Sequence, residues 1–205
     1  MSNSILSLRA YCEPMLSSGM EPLNAISNLG FILVALYIIR RHRTIELLPV
    51  GVLTLLLGLG SFAWHTFRSI PTYYADTAPL AFLLLLVTYL IFKRYHAYAP
   101  IVGFLVIGII YSILEYHFVL ADPGCSEIYF SIILTLLGLV VLQWIAKKQR
   151  TTQLFTVFIL FSVGYGIRQL DQVLCNSPIF SYGTHWIWHL ICAGAIYYAI
   201  QYLKK

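Results

Sequence analysis

The sequence predicts an all-α integral membrane protein, a bundle of seven transmembrane helices with the N-terminus outside and the C-terminus in the cytoplasm. Three observations lead to this fold class: an apolar composition, seven apolar segments and a one-sided distribution of basic residues. Hydrophobic residues make up 60% of the chain and charged residues only 10%, with a mean hydropathy of +0.80. A soluble domain carries about 25% charged residues, so most of this surface is expected to face lipid.

The seven apolar segments are close to the ~20 residues that a helix needs to cross the hydrocarbon core. They cover residues 24–40, 46–67, 73–92, 98–118, 126–146, 152–170 and 181–203. Lipid cannot satisfy open backbone polar groups, so full-length apolar spans are expected to be helices. Residues 1–23 are mixed in character and are expected to form an extracytoplasmic N-terminal segment with at most a short helix. Residues 24–205 form the seven-helix domain.

The basic residues set the predicted orientation. Three of the 13 lie in one set of connections, Arg9, Arg68 and Arg168, and the other 10 lie in the other set: Arg40, Arg41, Arg43, Lys93, Arg94, Lys147, Lys148, Arg150, Lys204 and Lys205. Positive residues favour the cytoplasmic side of a membrane, so the richer set is placed inside. This assignment also explains the net charge of +5 without a nucleic-acid partner.

The same topology collects polar side chains at one depth, near the outer ends of segments 2, 3 and 7. His65 lies near the outer end of segment 2, with Ser61 one helical turn before it on the same face. His185 and His189 lie in the outer half of segment 7, and Asp76 opens segment 3 at its outer end. Ionisable residues inside a membrane are costly and usually functional.

The three histidines indicate a zinc site. Positions i and i+4 lie on one helix face, so His185 and His189 can hold one ion, with His65 as the third ligand. Three histidines leave one tetrahedral position open, as in catalytic zinc sites. Zinc lowers the pKa of water to about 7, which lets water attack an ester or amide carbonyl. The alternative for a single histidine is a hydrogen-bonded bridge between helices.

Ser61 and Asp76 are the candidate catalytic residues. Asp76 could take the proton of the attacking water or orient a histidine, and the alternative is a helix-start carboxylate favoured by the helix dipole. Ser61 could donate a hydrogen bond to the oxyanion. Its alternative is a small residue at a helix crossing within Gly58-Leu59-Gly60-Ser61.

Three of the four cysteines, Cys12, Cys125 and Cys175, fall on the outer side, and Cys192 lies within segment 7. The outer compartment permits disulfides, so one bridge among the outer three is plausible. The sequence alone does not choose the pair.

An ordered set of motifs along nearly the whole chain resembles the alkaline ceramidases. The set is Cys12-Glu13-Pro14, Glu21-x-x-Asn24-x-x-Ser27-Asn28, Gly58-x-Gly60-Ser61-x-x-x-His65, Asp76, Leu170-Asp171-x-x-x-Cys175 and His185-x-Trp-x-x-His189. These enzymes belong to a superfamily of seven-helix hydrolases that includes adiponectin-receptor-like proteins. The resemblance implies a zinc-dependent amidase that releases a fatty acid from ceramide.

The resemblance also implies roles for individual residues: His65, His185 and His189 as zinc ligands, Ser61 and Asp76 as catalytic partners, and a Cys12–Cys175 bridge. Eukaryotic members hold calcium through an acidic N-terminal stretch. Here Glu13 and Glu21 match that stretch, but they are closer in sequence than in the eukaryotic members. Met15 stands where an oxygen ligand is expected, and Tyr11 replaces another ligand-bearing region. Calcium takes six to eight oxygens, so these departures argue against a calcium site.

The resemblance and the short loops together lead to a functional prediction. The short loops and tails indicate a bacterial member in the inner membrane, with its active site toward the extracytoplasmic side and its lipid substrate entering from the bilayer. The expected reaction is hydrolysis of ceramide or a related N-acyl lipid. Three alternatives stay open: hydrolysis of another lipid ester, a non-enzymatic receptor or scaffold with structural zinc, and a haem-binding electron carrier.

Overall fold

The computed structural model describes residues 11–42, 44–117, 126–146, 150–175 and 177–204. Within these ranges the regular structure is entirely helical. Its helices are α1 (Pro22–Ser27), α2 (Leu29–Arg41), α3 (Leu48–Phe67), α4 (Ile70–Lys93), α5 (Ala99–His117), α6 (Ser126–Ile145), α7 (Thr151–Leu174) and α8 (His185–Leu203).

Five stretches in the described part of the chain are long and apolar enough to cross a membrane. They are Pro22–Arg41, Leu48–Phe67, Ile70–Lys93, Ile128–Ile145 and Thr151–Asp171. Helix α5 contributes a shorter apolar stretch, Ala99–Ile113. A membrane protein of helical type is therefore confirmed, while seven crossings and the orientation of the termini stay predictions.

The helices follow the predicted segments closely, and one of the differences concerns a predicted catalytic residue. Segment 3 was predicted to begin at residue 73 with Asp76 at its opening, but α4 begins at Ile70. The earlier start comes from a capping box, in which Ser69 and Thr72 each bond to the other's backbone amide. Asp76 therefore lies beyond the first turn of α4. This removes the alternative in which Asp76 is only a carboxylate placed at a helix start, because the dipole effect falls off within that turn.

The helices α2 to α8 form a closed ring. Each of them packs against the next in sequence, and α8 packs against α2. The short helix α1 packs against both α3 and α8, so it lies between these two helices. The histidine-bearing ends of α3 and α8 are on that side of the bundle, called the histidine end below.

Glycines set the closest helix contacts around α3. A Cβ on Gly60 would lie 1.9 Å from the carbonyl oxygen of Ala75 in α4, and a Cβ on Gly58 would lie 2.9 Å from the Ile32 side chain in α2. Only glycine permits such an approach, because a side chain would have to occupy the space of a neighbouring atom. The Gly58–Ser61 stretch is thus a helix crossing and also places Ser61 at the interface.

The N-terminal segment is tied down by a disulfide between Cys12 and Cys175, whose Cα atoms are 5.1 Å apart. The pairing implied by the family resemblance is therefore confirmed. Cys125, the other candidate for this bridge, lies outside the described residues. Residues 11–21 contain turns and no helix, residues 22 and 23 already belong to α1, and residues 1–10 of the predicted segment lie outside the described residues.

Candidate metal centre

Three buried histidines meet at the interface of α3 and α8. His65 lies in the last turn of α3, while His185 begins α8 and His189 follows one turn later. Their exposed fractions are 0%, 5% and 3%. One ring nitrogen of each lies within 4.8 Å of the corresponding atom of the other two. The spacing of four residues within α8 favours this convergence, because it places both rings on one helix face, where each lies close to the ring of His65.

Glu21 orients His65. Its Oε2 atom accepts the Nδ1–H of His65 at 2.6 Å, and its backbone N–H donates to the His65 carbonyl at 2.8 Å. Burial raises the pKa of Glu21 to about 7, and the charge of Arg68 acts in the opposite direction. A carboxylate on the Nδ1–H of a histidine is the usual outer partner of a metal ligand, because it fixes the ring and leaves Nε2 for the metal.

Ser27 makes the equivalent contact to His189, with 2.8 Å between its Oγ and Nδ1 of the imidazole. The same hydroxyl donates its single hydrogen to the Asn24 carbonyl at 2.9 Å. Ser27 therefore accepts from His189, which fixes the tautomer with the proton on Nδ1. In His189, as in His65, Nε2 is then the ring nitrogen that could bind a metal.

His185 is held through its backbone and through its ring. Asp171 accepts the backbone N–H groups of Thr184 and His185 at 2.6 and 2.9 Å, so it stabilises the start of α8 as an anion at a helix N-terminus. The ring of Tyr11 stacks on the His185 ring with 4.0 Å between centroids. The same carboxylate accepts the Cys12 N–H at 3.0 Å, which joins the N-terminal segment to the start of α8.

The predicted catalytic residues lie on the two helices that meet beside the cluster. Ser61 is 2% exposed and lies one turn before His65 on α3. The position a Cβ of Gly60 would occupy is 3.0 Å from the backbone nitrogen of Asp76, so this part of α4 is in direct contact with α3. Asp76 is not a member of the buried three-histidine group. The catalytic roles of Ser61 and Asp76 stay predictions.

The donor set suits zinc. Three imidazoles from two helices converge, and two of them have their Nδ1–H groups bonded to protein oxygens. Nitrogen ligands of this kind favour zinc over calcium or magnesium, which take oxygen ligands. Among the described residues the group contains these three side chains only, so a tetrahedral ion would keep one position for water or substrate.

Sequence reasoning placed the three histidines together but assigned no function to the side chains around them. Ser27 belongs to the family motifs without a predicted role, and the sequence connects Glu21 and Tyr11 only with the calcium site of the eukaryotic members. The available signal for Glu21 and Ser27 was the run Glu21-x-x-Asn24-x-x-Ser27, which puts polar groups at helical spacing in an apolar stretch. No local pattern indicates that Tyr11 reaches His185, because the contact depends on a bridge to Cys175.

Comparison with known proteins assigns the family. A search among curated proteins found no match to this chain. The family model described as Ceramidase matches residues 9–205, which include the three histidines, Glu21, Ser27 and both bridged cysteines. This confirms the resemblance read from the motifs: the chain belongs to the Ceramidase family.

Proposed function

We propose that this protein is a zinc-dependent membrane hydrolase that cleaves the amide bond of ceramide or a related N-acyl lipid and releases a fatty acid. The observation that carries the proposal is the buried group of His65, His185 and His189 in a chain that the Ceramidase model matches from residue 9 to residue 205. Family membership supports a hydrolase of lipid amides, and the histidines supply the ligands that such a reaction needs.

The three histidines would hold zinc, with Glu21 and Ser27 fixing the rings of His65 and His189. When bound, zinc would supply the electrophile that polarises the acyl carbonyl and would lower the pKa of water at the open position. The buried setting strengthens these electrostatic effects, because little water competes for the same groups.

Ser61 would donate its hydroxyl hydrogen to the carbonyl oxygen as negative charge develops on it. Its burial and its place one turn before His65 support this role. Asp76 would accept the proton of the attacking water and pass it to the leaving amine. The close crossing of α3 and α4 at Gly60 supports this role, since it brings the backbone at Asp76 against the helix that carries Ser61 and His65.

Two neighbouring apolar cavities support a lipid substrate, and the first of them reaches residues beside His189. One, of about 70 Å³, runs among α2, α3, α4, α6, α7 and α8 and is lined by Phe31 and Trp188. Phe31 also contacts the ring of His189, with 6.1 Å between centroids. The second cavity, of about 370 Å³, lies between α4, α5 and α6 and shares Leu80 and Ile132 with the first. An acyl chain would enter from the bilayer through this path, while the carbonyl stays at the histidines.

The membrane location follows the same reasoning. The active site would face the extracytoplasmic side of a bacterial inner membrane, since the basic residues favour the opposite side. The membrane and its lipids would be the partners of the protein, with no nucleic acid involved.

The test is lipid hydrolysis by purified protein in detergent or liposomes, with metal content measured on the same sample. We expect about one zinc per chain and release of fatty acid from short-chain ceramides or other N-acyl lipids. His189→Ala should lose most of the zinc. Ser61→Ala and Asp76→Asn should keep the zinc and lose most of the activity, because loss of one oxyanion donor costs about 10²–10³ in turnover.

The same experiment separates the alternatives. Cleavage of lysophospholipids but of no amide would identify an esterase. Zinc binding without any hydrolysis, or Ser61→Ala and Asp76→Asn variants with wild-type activity, would contradict the hydrolase and favour a receptor or scaffold. A Soret band would indicate haem, but the three imidazole rings lie 4.6 to 5.4 Å apart between centroids, which leaves room for an ion and not for a porphyrin.

A further inference from the structure

We propose that the positive charge of Arg68 holds Glu21 against the metal ligand His65. The acidic N-terminal segment then orients this ligand without calcium. The proposal rests on the zinc site of the proposed function. It concerns a residue outside the predicted ligand and catalytic sets, and it explains how this chain differs from the eukaryotic enzymes that it resembles.

Calcium does not fit the carboxylates of this segment, because their oxygens already face donors. Glu13 accepts the backbone N–H groups of Leu23 and Asn24 at 2.5 and 2.7 Å. Glu21 uses Oε2 for His65 and Oε1 for Arg68. Calcium needs six to eight oxygen ligands, whereas these four oxygens already face a hydrogen-bond donor or a positive charge, and the charge of Arg68 opposes a second cation beside Glu21.

The guanidinium of Arg68 is the positive charge beside Glu21. Its Nη2 atom lies 3.3 Å from Oε1 of Glu21. The guanidinium carbon lies 4.7 Å from the Trp64 ring centroid and 5.3 Å from that of Tyr11. A guanidinium held between aromatic faces is favourable, and a partly buried ion pair is less screened by salt than a surface pair. The exposed fraction of the Arg68 side chain is 14%.

The backbone places this charge where Glu21 and His65 meet. Arg68 follows the last residue of α3 in the left-handed conformation, with φ of 47°, which is uncommon for a residue other than glycine. This conformation ends the helix three residues after His65. His65 and Arg68 lie three residues apart, and each contacts one carboxylate oxygen of Glu21. The two contacts together hold this carboxylate against the ring of His65.

The test measures zinc affinity, by competition with a chelator, and melting temperature, for Arg68→Gln, Arg68→Lys and a matched control. Arg150→Gln is the control, because Arg150 also has a positive φ, of 67°, and its guanidinium bonds a backbone oxygen, that of Tyr202, at 3.1 Å. We expect Arg68→Gln to weaken zinc binding about 10-fold, at the lower end of the 10–100-fold loss typical of outer partners. Arg68→Lys should recover part of this affinity, and Arg150→Gln should leave it unchanged.

The calcium arm uses the wild-type protein. Adding millimolar calcium to protein prepared in calcium-free buffer should change neither its zinc affinity nor its melting temperature. A rise in melting temperature or in zinc affinity with calcium, or wild-type zinc affinity in Arg68→Gln, would overturn the proposal. If Arg68→Gln does not fold, the zinc affinity of Arg68→Lys and the effect of calcium on the wild-type protein test the proposal instead.

The outcomes also separate this proposal from the proposed function. A protein whose zinc affinity depends on Arg68 and that cleaves no lipid would contradict the hydrolase and leave the role of Arg68 intact. A lipid amidase whose zinc affinity depends on calcium would contradict the role of Arg68 and leave the hydrolase intact.

Discussion

At the scale of single residues, the metal centre depends on hydrogen bonds that fix which nitrogen of each ring faces the ion. Glu21 and Ser27 accept the Nδ1–H groups of His65 and His189. Both acceptors come from the short stretch of chain around α1. A ligand histidine without such a partner can rotate or change tautomer, and both changes weaken binding.

Ser27→Ala is therefore predicted to lower zinc affinity about 10–100-fold without unfolding the protein. The reason is the loss of the acceptor for Nδ1 of His189. Zinc affinity is measured by chelator competition, with Thr54→Ala as the control, since Thr54 is also a fully buried hydroxyl and bonds the Val50 carbonyl within its own helix. Equal zinc affinity in the two variants would contradict the orienting role of Ser27.

The histidines could be predicted from the sequence, and their partners could not. His185 and His189 are recognisable because helical periodicity places positions i and i+4 on one face, and the membrane depth of His65 then follows from the span lengths. Glu21 and Ser27 reach the rings because of the way α1 packs against α3 and α8. The helical spacing of these polar residues shows that they share a face, but which helices that face meets is decided by tertiary packing.

At the scale of helices, the contact between α3 and α4 brings Ser61 and Asp76 into one region. The contact depends on Gly60, whose position leaves no space for a Cβ beside the Ala75 carbonyl. A backbone atom cannot move aside as a flexible side chain can. The two helices would have to separate to admit even a methyl group.

Gly60→Ala is therefore predicted to destabilise the protein by about 1–3 kcal/mol, the usual cost of overpacking, and to reduce hydrolysis more than zinc binding. The reduction follows because α4 and Asp76 would be displaced while the histidines lie on α3 and α8. Melting temperature, zinc content and activity are the measurements. Gly138→Ala in α6 is the matched control, because a Cβ there meets no atom within 4 Å. Equal stability of the two variants would contradict the close crossing.

Helix boundaries show where sequence reasoning is weaker. The apolar runs predicted all the long helices, but α4 begins three residues before the predicted segment because Ser69 and Thr72 form a cap. Likewise α8 begins at His185 rather than at residue 181, since Gly183 has φ of 66° and Asp171 accepts the first amides of the helix. A hydropathy pattern locates the lipid-facing run, whereas caps and distant carboxylates decide where the helix begins.

At the scale of the whole molecule, the basic residues predict which end of the bundle faces the cytoplasm. In the topology predicted from the sequence, three of the 13 are assigned to the outer connections and 10 to the inner ones. A reporter that works only in the cytoplasm should therefore be active when fused after Lys205 and inactive at the N-terminus. A reporter that is active only at the N-terminus would place the metal centre on the cytoplasmic side.

The Cys12–Cys175 bridge is predicted to stabilise the folded protein by roughly 2–4 kcal/mol, the typical value for a disulfide. It joins residues 163 positions apart, and it keeps Tyr11 on His185. Cys175→Ser should lower the melting temperature and speed zinc release to a chelator. Cys192→Ser is the control, because Cys192 is a buried free cysteine. Identical melting temperatures and zinc release rates in Cys175→Ser and wild type would contradict this role.

The order in which the helices leave the ribosome decides when the metal centre can form. His65 is made early, and its carboxylate partner Glu21 earlier still, but His185 and His189 belong to the last helix of the chain. Cys175, the partner of Cys12, is also synthesised only after α7. An incompletely translated chain therefore has neither a full set of ligands nor a covalent anchor for its first residues. Maturation of the centre is thus a late event, in which translation of α8 completes an assembly that α1 began.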